Sequence, residues 1–271
     1  MKIGLVLSGG GAKGFAHIGV IRRLEQLGLK PYCISGTSMG SLIGGWYAAG
    51  KDLAVIEQMA RSGAWKHFLP LRQIFNSVRQ SCGLFRMDSF ENFMAKEIGD
   101  SAIEKLAIPY CAIATSLKKG AEVRLQNGSL LKAIMASSCI PIVFAPIEHQ
   151  NDLLVDGGVV NNFPIQACFD MGADVVIGVD VRYTPGDIGH ELIHEHNMMR
   201  WKIFRVLSYL MDMVHPTEQT YNTQKVVVIK PYISHIQTFD FQRVDEIIKL
   251  GAEAFGQKEK EIRALTGLSG N

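Results

Sequence analysis

A serine flanked by glycines stands where a short apolar segment gives way to a helical pattern. The segment at residues 36–40 reads Gly36-Thr37-Ser38-Met39-Gly40, which is the G-x-S-x-G pattern of a nucleophile elbow. The flanking glycines leave room for a sharp strand-to-helix turn that exposes the Ser38 hydroxyl. An activated serine hydroxyl attacks acyl carbonyl carbons. The segment therefore predicts covalent catalysis by Ser38.

A second cluster, Gly-Gly-Gly-Ala-Lys-Gly at residues 9–14, lies between a predicted strand and a predicted helix. Gly9, Gly11 and Gly14 match the dinucleotide pattern G-x-G-x-x-G, but the second predicted strand does not end in the acidic residue that holds the ribose. Lys13 precedes the last glycine, whereas the lysine of a P-loop follows it. The cluster predicts backbone N–H groups that stabilise a phosphate or an oxyanion, with a simple tight turn as the alternative explanation.

A serine nucleophile also needs a base. The α/β-hydrolase order of Ser, Asp or Glu, and His does not fit, because only one predicted strand precedes the elbow. Asp156, in Val-Asp-Gly-Gly at residues 155–158, ends a predicted strand and offers a carboxylate. A hairpin turn between residues 153–155 and 159–160 is the alternative explanation of this segment. His17, just after the glycine cluster, is expected to be a packing residue.

A competing pattern, His-Glu-Leu-Ile-His, occupies residues 190–194 and matches the H-E-x-x-H of zinc peptidases. The longer metzincin pattern is excluded because Asn197 stands where a glycine is required. These five residues lie near the start of a long amphipathic pattern at about 184–223. This pattern is typical of a helix packed on its own core, with a lid, a dimer contact or a membrane-surface contact as alternatives.

Hydrophobic periodicity predicts an α/β fold with a mostly parallel sheet, because strands and helices alternate from the N-terminus. Without an internal repeat or a flexible linker, we expect one domain over residues 1–271, with a helical insertion at about 184–223. The uncharged stretch 31–50 is better explained as strand, turn and helix than as a membrane span. The predicted helices cover residues 14–27, 40–49, 53–61, 88–98 and 129–137, and the predicted strands cover 3–8, 32–35, 109–117, 122–125, 153–155, 175–181 and 226–229.

Composition narrows the functional classes. The chain has 271 residues, 47% hydrophobic and 20% charged, which is typical of a globular protein. With 28 Lys and Arg against 26 Asp and Glu, the net charge of +2 gives no indication of nucleic-acid binding. Five dispersed cysteines without a CxxC pair, and an N-terminal apolar stretch too short for a signal peptide, predict a reduced, cytoplasmic protein.

Four motifs together resemble the patatin-like phospholipase family in its short bacterial form. They occur in the order GGGAKG at 9–14, GTSMG at 36–40, ASSCIPIVFAP at 136–146 and VDGG at 155–158. The resemblance extends from about residue 3 to 181, is looser over 226–250, and is absent from 184–223. Members commonly carry Arg where this chain has Lys13, which keeps the positive charge but not the bidentate geometry.

The resemblance implies a three-layer α/β/α sandwich that hydrolyses fatty acyl esters of phospholipids or lysophospholipids without a cofactor or metal. Catalysis would use a Ser-Asp dyad, with Ser38 as nucleophile and Asp156 as base. The backbone of Gly9, Gly10 and Gly11 would form the oxyanion hole. The motif-supporting residues would be Lys13, Gly14, Gly36, Gly40, Gly157 and Gly158.

Beyond the lipid ester substrate, the sequence leaves peripheral membrane contact and homo-oligomer formation open. Two other functions also remain as alternatives. One is a lipid-binding regulatory module whose pocket is no longer catalytic, against which the intact motifs argue. The other is a zinc peptidase built on residues 190–194.

Overall fold

Five parallel strands form the centre of the sheet in the computed structural model, which describes residues 1–63, 87–99, 101–182 and 224–268. All but the last of them are buried along their whole length, as expected for apolar strands covered on both faces. From one side to the other they run β3 (Tyr110–Ser116), β2 (Cys33–Thr37), β1 (Ile3–Leu7), β7 (Val175–Val179) and β8 (Val226–Ile229).

Three further strands extend the sheet beyond β3: β4 (Ala121–Leu125), β5 (Ile147–His149) and β6 (Asp152–Asp156). Strands β4 and β6 both pair with β3 in the antiparallel direction, and β5 pairs with β6. The mixed sheet thus has eight strands, five of them parallel, which confirms the expected mostly parallel α/β architecture. Strand β5 was not anticipated, because three residues are too short to show an alternating pattern.

The ends of β2 and β6 meet on the same edge of β3. Ile113 pairs with both Thr37 of β2 and a residue of β4, while Ala114 pairs with both Asp156 of β6 and a residue of β4. A strand has only two edges, so β4 takes one of them and β2 and β6 share the other. Thr37 and Asp156 therefore face consecutive residues of β3, and the chain segments that follow them start from neighbouring positions.

Helices cover both faces of this sheet. On one face, Ile3, Leu5 and Leu7 of β1 belong to the large apolar core shared with most of the helices. On the other face, Val6 packs in a smaller cluster with Ile165, the first residue of helix α6 (Ile165–Asp170). The result is the predicted three-layer arrangement. The described α-helices are α1 (Ala16–Gln26), α2 (Met39–Ala48), α3 (Leu53–Arg61), α4 (Asp88–Ile98), α5 (Leu130–Ser137), α6 (Ile165–Asp170) and α7 (Val244–Thr266), with short 3-10 helices at Gly11–Phe15, Ile103–Lys105 and Gly157–Val159.

The long C-terminal helix α7 packs directly against α1 through glycines on each side. A Cβ atom added at Gly19 would lie 2.0 Å from the carbonyl oxygen of Ile248, and one added at Gly251 would lie 2.1 Å from that of Ala16. Only glycine permits so close an approach of the two backbones. Helix α1 follows the glycine cluster in the chain, so α7 supports the element that carries this cluster.

The interpretation of residues 31–50 as strand, turn and helix is confirmed, because they form β2, a turn and α2. None of the described helices is both long and apolar enough to cross a membrane. The predicted helical insertion at about 184–223 and the pattern at 190–194 lie outside the described residues. A single domain over 1–271 remains a prediction.

Candidate active site

Ser38 occupies a sharp turn between β2 and α2, as the elbow pattern predicts. Its backbone angles are φ 51° and ψ −121°, a combination that costs free energy for any residue other than glycine. The turn is possible because Gly40 has no side chain: a Cβ there would lie 2.2 Å from the carbonyl oxygen of Leu7. At Gly36, a Cβ would likewise lie 2.5 Å from the Gly40 oxygen. Close backbone contacts thus explain why positions 36 and 40 are both glycine.

Hydrogen bonds hold the backbone of Ser38 on both sides. Its amide donates to the hydroxyl oxygen of Ser137 at 3.0 Å. Its carbonyl oxygen accepts from the Ser41 hydroxyl at 2.7 Å and from the Leu42 amide at 3.1 Å. Ser137 is fully buried at the end of α5, in the ASSCIPIVFAP motif. The strained turn is therefore fixed by contacts from two helices, and the Ser38 amide is already occupied.

Asp156 ends β6 and is only 1% exposed. Its amide donates to the Cys139 carbonyl oxygen at 2.8 Å, and its carboxylate oxygen Oδ1 accepts from the Gly158 amide at 2.8 Å. Gly157 and Gly158 begin a 3-10 helix, so the alternative of a hairpin turn between 153–155 and 159–160 is wrong. Gly157 instead permits a close approach to β3, since a Cβ there would lie 2.2 Å from the Ile113 carbonyl oxygen, and the Gly158 amide turns back to the carboxylate.

The glycine cluster lies beside the elbow because Leu7 of β1 pairs with Gly36 of β2. A Cβ added at Gly9 would be 3.0 Å from Cβ of Ser38. The Gly9 amide donates to Oδ1 of Asn162 at 2.9 Å. By contrast, the amides of Gly10 and Gly11 donate no hydrogen bond to any described residue. Within the described part of the chain, two adjacent backbone donors of the cluster that borders Ser38 are therefore free.

Lys13 and Gly14 lie in the 3-10 helix that follows these donors. The Lys13 side chain is only 1% exposed and has contacts of its own, so it belongs to the packed interior. A Cβ at Gly14 would fall 2.8 Å from Cβ of Met39, the residue after Ser38. Gly14 thus lets the first helical turn after the cluster pack against the elbow.

His17 is fully buried, as expected of a packing residue. Its Nε2 atom donates to the carbonyl oxygen of Ser8 at 2.8 Å, and Nδ1 has no hydrogen-bond partner among the described residues. Burial lowers the pKa of His17 to about 4, although the Ser8 bond and the charge of Asp180 oppose the shift. The imidazole is therefore neutral at pH 7, and neither nitrogen contacts Ser38 or Asp156.

Two supporting contacts could not be predicted from the sequence. The Asn162 side chain reaches the glycine cluster, as described above, and the carbonyl oxygen of Thr238 accepts from the Ala12 amide at 2.8 Å. Two adjacent asparagines, Asn161 and Asn162, follow the VDGG segment, but nothing in the sequence marks either as a partner of the glycine cluster. Thr238 likewise gave no signal, because it acts through its backbone.

An apolar cavity of about 30 Å³ begins next to the elbow. Met39, Ile43 and Trp46 of α2 line it along one face of the helix, and Ala60 of α3 and Phe90 of α4 close it. From Met39 to Trp46 the helix rises about 10 Å at 1.5 Å per residue. The cavity is thus a small apolar space lined by one face of the helix that follows Ser38.

The chain is similar to several known proteins. The model of the patatin-like phospholipase family matches residues 5–169. An uncharacterized NTE family protein of Mycobacterium tuberculosis is 38% identical over 183 residues, which are 66% of this chain and 49% of that protein. Lysophospholipase NTE1 of Saccharomyces cerevisiae is 30% identical over 268 residues, which are 93% of this chain and 16% of that protein. The chain thus spans half or less of these relatives.

Among solved structures, VipD of Legionella pneumophila superimposes with a TM-score of 0.52 at 15% sequence identity, over 98% of this chain and 67% of that one. At such low identity the likeness concerns the fold alone. The family model covers the glycine cluster, the elbow and the carboxylate-bearing strand, so it includes every segment of the candidate site that the sequence motifs indicated. The chain therefore belongs to the patatin-like phospholipase family.

Proposed function

We propose that the protein is a serine acyl hydrolase that cleaves fatty acyl esters of phospholipids or lysophospholipids through an acyl-Ser38 intermediate. Membership of the patatin-like phospholipase family and the likeness to a yeast lysophospholipase support a lipid hydrolase. The proposal of a Ser-Asp dyad rests on one observation: β2 and β6 end beside the adjacent residues Ile113 and Ala114 of β3. The Ser38 turn and Asp156 are therefore neighbours at the same edge of that strand.

In the proposed reaction, the Ser38 hydroxyl oxygen attacks the ester carbonyl carbon while the Asp156 carboxylate accepts the hydroxyl proton. The carbonyl oxygen becomes negatively charged, and the free amides of Gly10 and Gly11 stabilise it. Collapse of this intermediate releases the alcohol, which takes the proton from Asp156, and leaves an acyl ester on Ser38. Water, deprotonated by Asp156, then attacks this ester, and the fatty acid is released as Asp156 returns the proton to the Ser38 oxygen.

Labelling with an active-site fluorophosphonate tests the proposal directly. Such a probe phosphonylates an activated serine, so we expect one label per chain, and peptide mapping should place it on Ser38. A folded protein that binds lipid but takes up no label would instead be the non-catalytic lipid-binding module that the sequence leaves as an alternative.

The apolar side chains around the cavity beside α2 are the proposed place for the acyl chain, which would push them apart because the cavity itself has about the volume of one water molecule. Ala60→Leu would fill part of this space. We expect kcat/KM for a twelve-carbon ester to fall about tenfold relative to that for a four-carbon ester, because the loss of space for one methylene group changes kcat/KM by about this factor. Val55→Leu is the matched control, because Val55 is 39% exposed on the same helix. Equal losses for both chain lengths would place the acyl chain elsewhere.

Chelation tests the zinc peptidase alternative. Residues 190–194 lie outside the described part of the chain, and within that part no cluster of three His, Cys, Asp or Glu side chains could hold a metal ion. Because the proposed reaction uses no metal, esterase activity should survive EDTA and the double substitution His190→Ala with His194→Ala. Stoichiometric zinc in the purified protein, with activity lost on its removal, would favour the peptidase.

A further inference from the structure

The glycine cluster is held at two points that bracket its free donors. On one side the Gly9 amide donates to Oδ1 of Asn162 at 2.9 Å, and on the other the Ala12 amide donates to the Thr238 carbonyl oxygen at 2.8 Å. Between them the amides of Gly10 and Gly11 have no acceptor among the described residues. The direction of these two amides therefore depends on where the bracketing bonds hold the backbone.

Asn162 is buried, with 4% of its surface exposed, and lies 153 residues from Gly9 in sequence. It ends the turn that begins after Asp156, in which the Asn161 amide donates to the Gly157 carbonyl oxygen at 2.8 Å. This turn, residues 157–162, thus links the carboxylate strand to the glycine cluster through one side chain.

The same turn also contacts the elbow. The hydroxyl of Thr37, the residue before Ser38, donates to the Asn161 carbonyl oxygen at 3.0 Å. A Cβ added at Gly9 would lie 2.5 Å from Oδ1 of Asn162 and 3.0 Å from Cβ of Ser38. Asn162 and the nucleophile therefore both lie close to Gly9, and the Asn162 bond holds the glycine backbone next to Ser38.

We infer that Asn162 is a positioning residue that aims the Gly10 and Gly11 amides at the oxyanion; the inference rests on the proposed function. An amide side chain suits this place because its oxygen accepts the Gly9 hydrogen without a negative charge. A carboxylate at the same position would accept that hydrogen equally well but would oppose the developing oxyanion.

Asn162→Leu tests the role, because leucine has a similar size and no acceptor. We expect kcat for a soluble ester to fall about 10- to 100-fold, since small misplacements of catalytic groups have effects of this order, with KM nearly unchanged. The affinity for a trifluoromethyl ketone, which forms a tetrahedral adduct on the serine, should fall by the same factor as kcat/KM. A loss of stability alone would reduce the fraction of active enzyme, but the affinity of the remaining enzyme for the ketone would not fall with kcat/KM.

Ser35→Ala is the matched control. The Ser35 hydroxyl is buried and donates to the Pro164 carbonyl oxygen at 2.9 Å, so its removal takes a buried hydrogen bond from the neighbouring stretch of chain. We expect this variant to lower the melting temperature while retaining kcat. Equal loss of kcat in Ser35→Ala and Asn162→Leu would assign Asn162 a structural role only.

Asn162→Asp gives an independent measurement. Here the acceptor remains, so the ratio of variant to wild-type kcat should rise as the pH falls and the new carboxylate takes up a proton. A ratio that does not change with pH would overturn the electrostatic part of the inference. A folded but inactive wild-type protein would overturn the proposed function itself, whereas an active wild type and an unimpaired Asn162→Leu variant would overturn only the role of Asn162.

Discussion

Ser38→Ala is expected to abolish ester hydrolysis and fluorophosphonate labelling in a protein that remains folded. The expected fall in kcat is on the order of 10⁴- to 10⁶-fold, because removal of a serine nucleophile leaves only binding and oxyanion stabilisation. Alanine meets the same backbone strain as serine at φ 51°, so the melting temperature should change little. Substantial turnover by folded Ser38→Ala would contradict the acyl-enzyme mechanism.

A companion substitution, Ser38→Gly, separates strain from chemistry. Glycine adopts positive φ without penalty, so this variant should be as inactive as Ser38→Ala but more stable, by about 1 kcal/mol or more in the free energy of unfolding. Chemical denaturation of the three proteins measures the difference. A less stable glycine variant would mean that the elbow conformation is not strained in the free protein.

Asp156→Asn is expected to reduce kcat by about 10²- to 10⁴-fold, the range typical of a lost general base. Asparagine keeps the shape of the side chain, and its carbonyl oxygen can still accept from the Gly158 amide, so the fold and the free donors of the glycine cluster should persist. Steady-state kinetics on a soluble ester, together with a melting curve, would measure both effects.

Replacing each histidine in turn by glutamine distinguishes a dyad from a Ser-His-Asp triad. His17 is the histidine nearest to the glycine cluster in the sequence, but its Nε2 bonds to Ser8 and its Nδ1 contacts neither Ser38 nor Asp156. We expect each of the eight substitutions to cost far less than Asp156→Asn. If one of them matched that loss in a folded protein, Asp156 would orient an imidazole rather than act as the base.

The sequence indicates the segments of the candidate site because they combine a backbone demand with a reactive group, and the catalytic roles of their residues stay predictions. Gly36 and Gly40 surround Ser38 for steric reasons that the structure makes explicit, and such demands leave a fixed spacing in the sequence. The strands that present these segments were also predictable, because buried parallel strands are continuous apolar runs.

The supporting contacts were not predictable in the same way. Ser137 and Asn162 each form a hydrogen bond to the site across a large sequence separation, and serine and asparagine are too common for their positions to be informative. The meeting of β2 and β6 on one edge of β3 depends on strand pairing, which no local pattern specifies. The motif residues could thus be named from the sequence, but not the contacts that aim them.

The C-terminal part of the chain supports the glycine cluster, so the activity of a shortened protein depends on where the chain is cut. The family model ends at residue 169, before β7, β8 and α7. A fragment cut there would leave one edge of β1 open to pairing with other chains and would remove the Thr238 acceptor of the Ala12 amide. All the sequence motifs would be retained in such a fragment, but the backbone that follows β1 would lose its support. The smallest unit able to hold the glycine cluster in place therefore extends beyond the matched region, through helix α7.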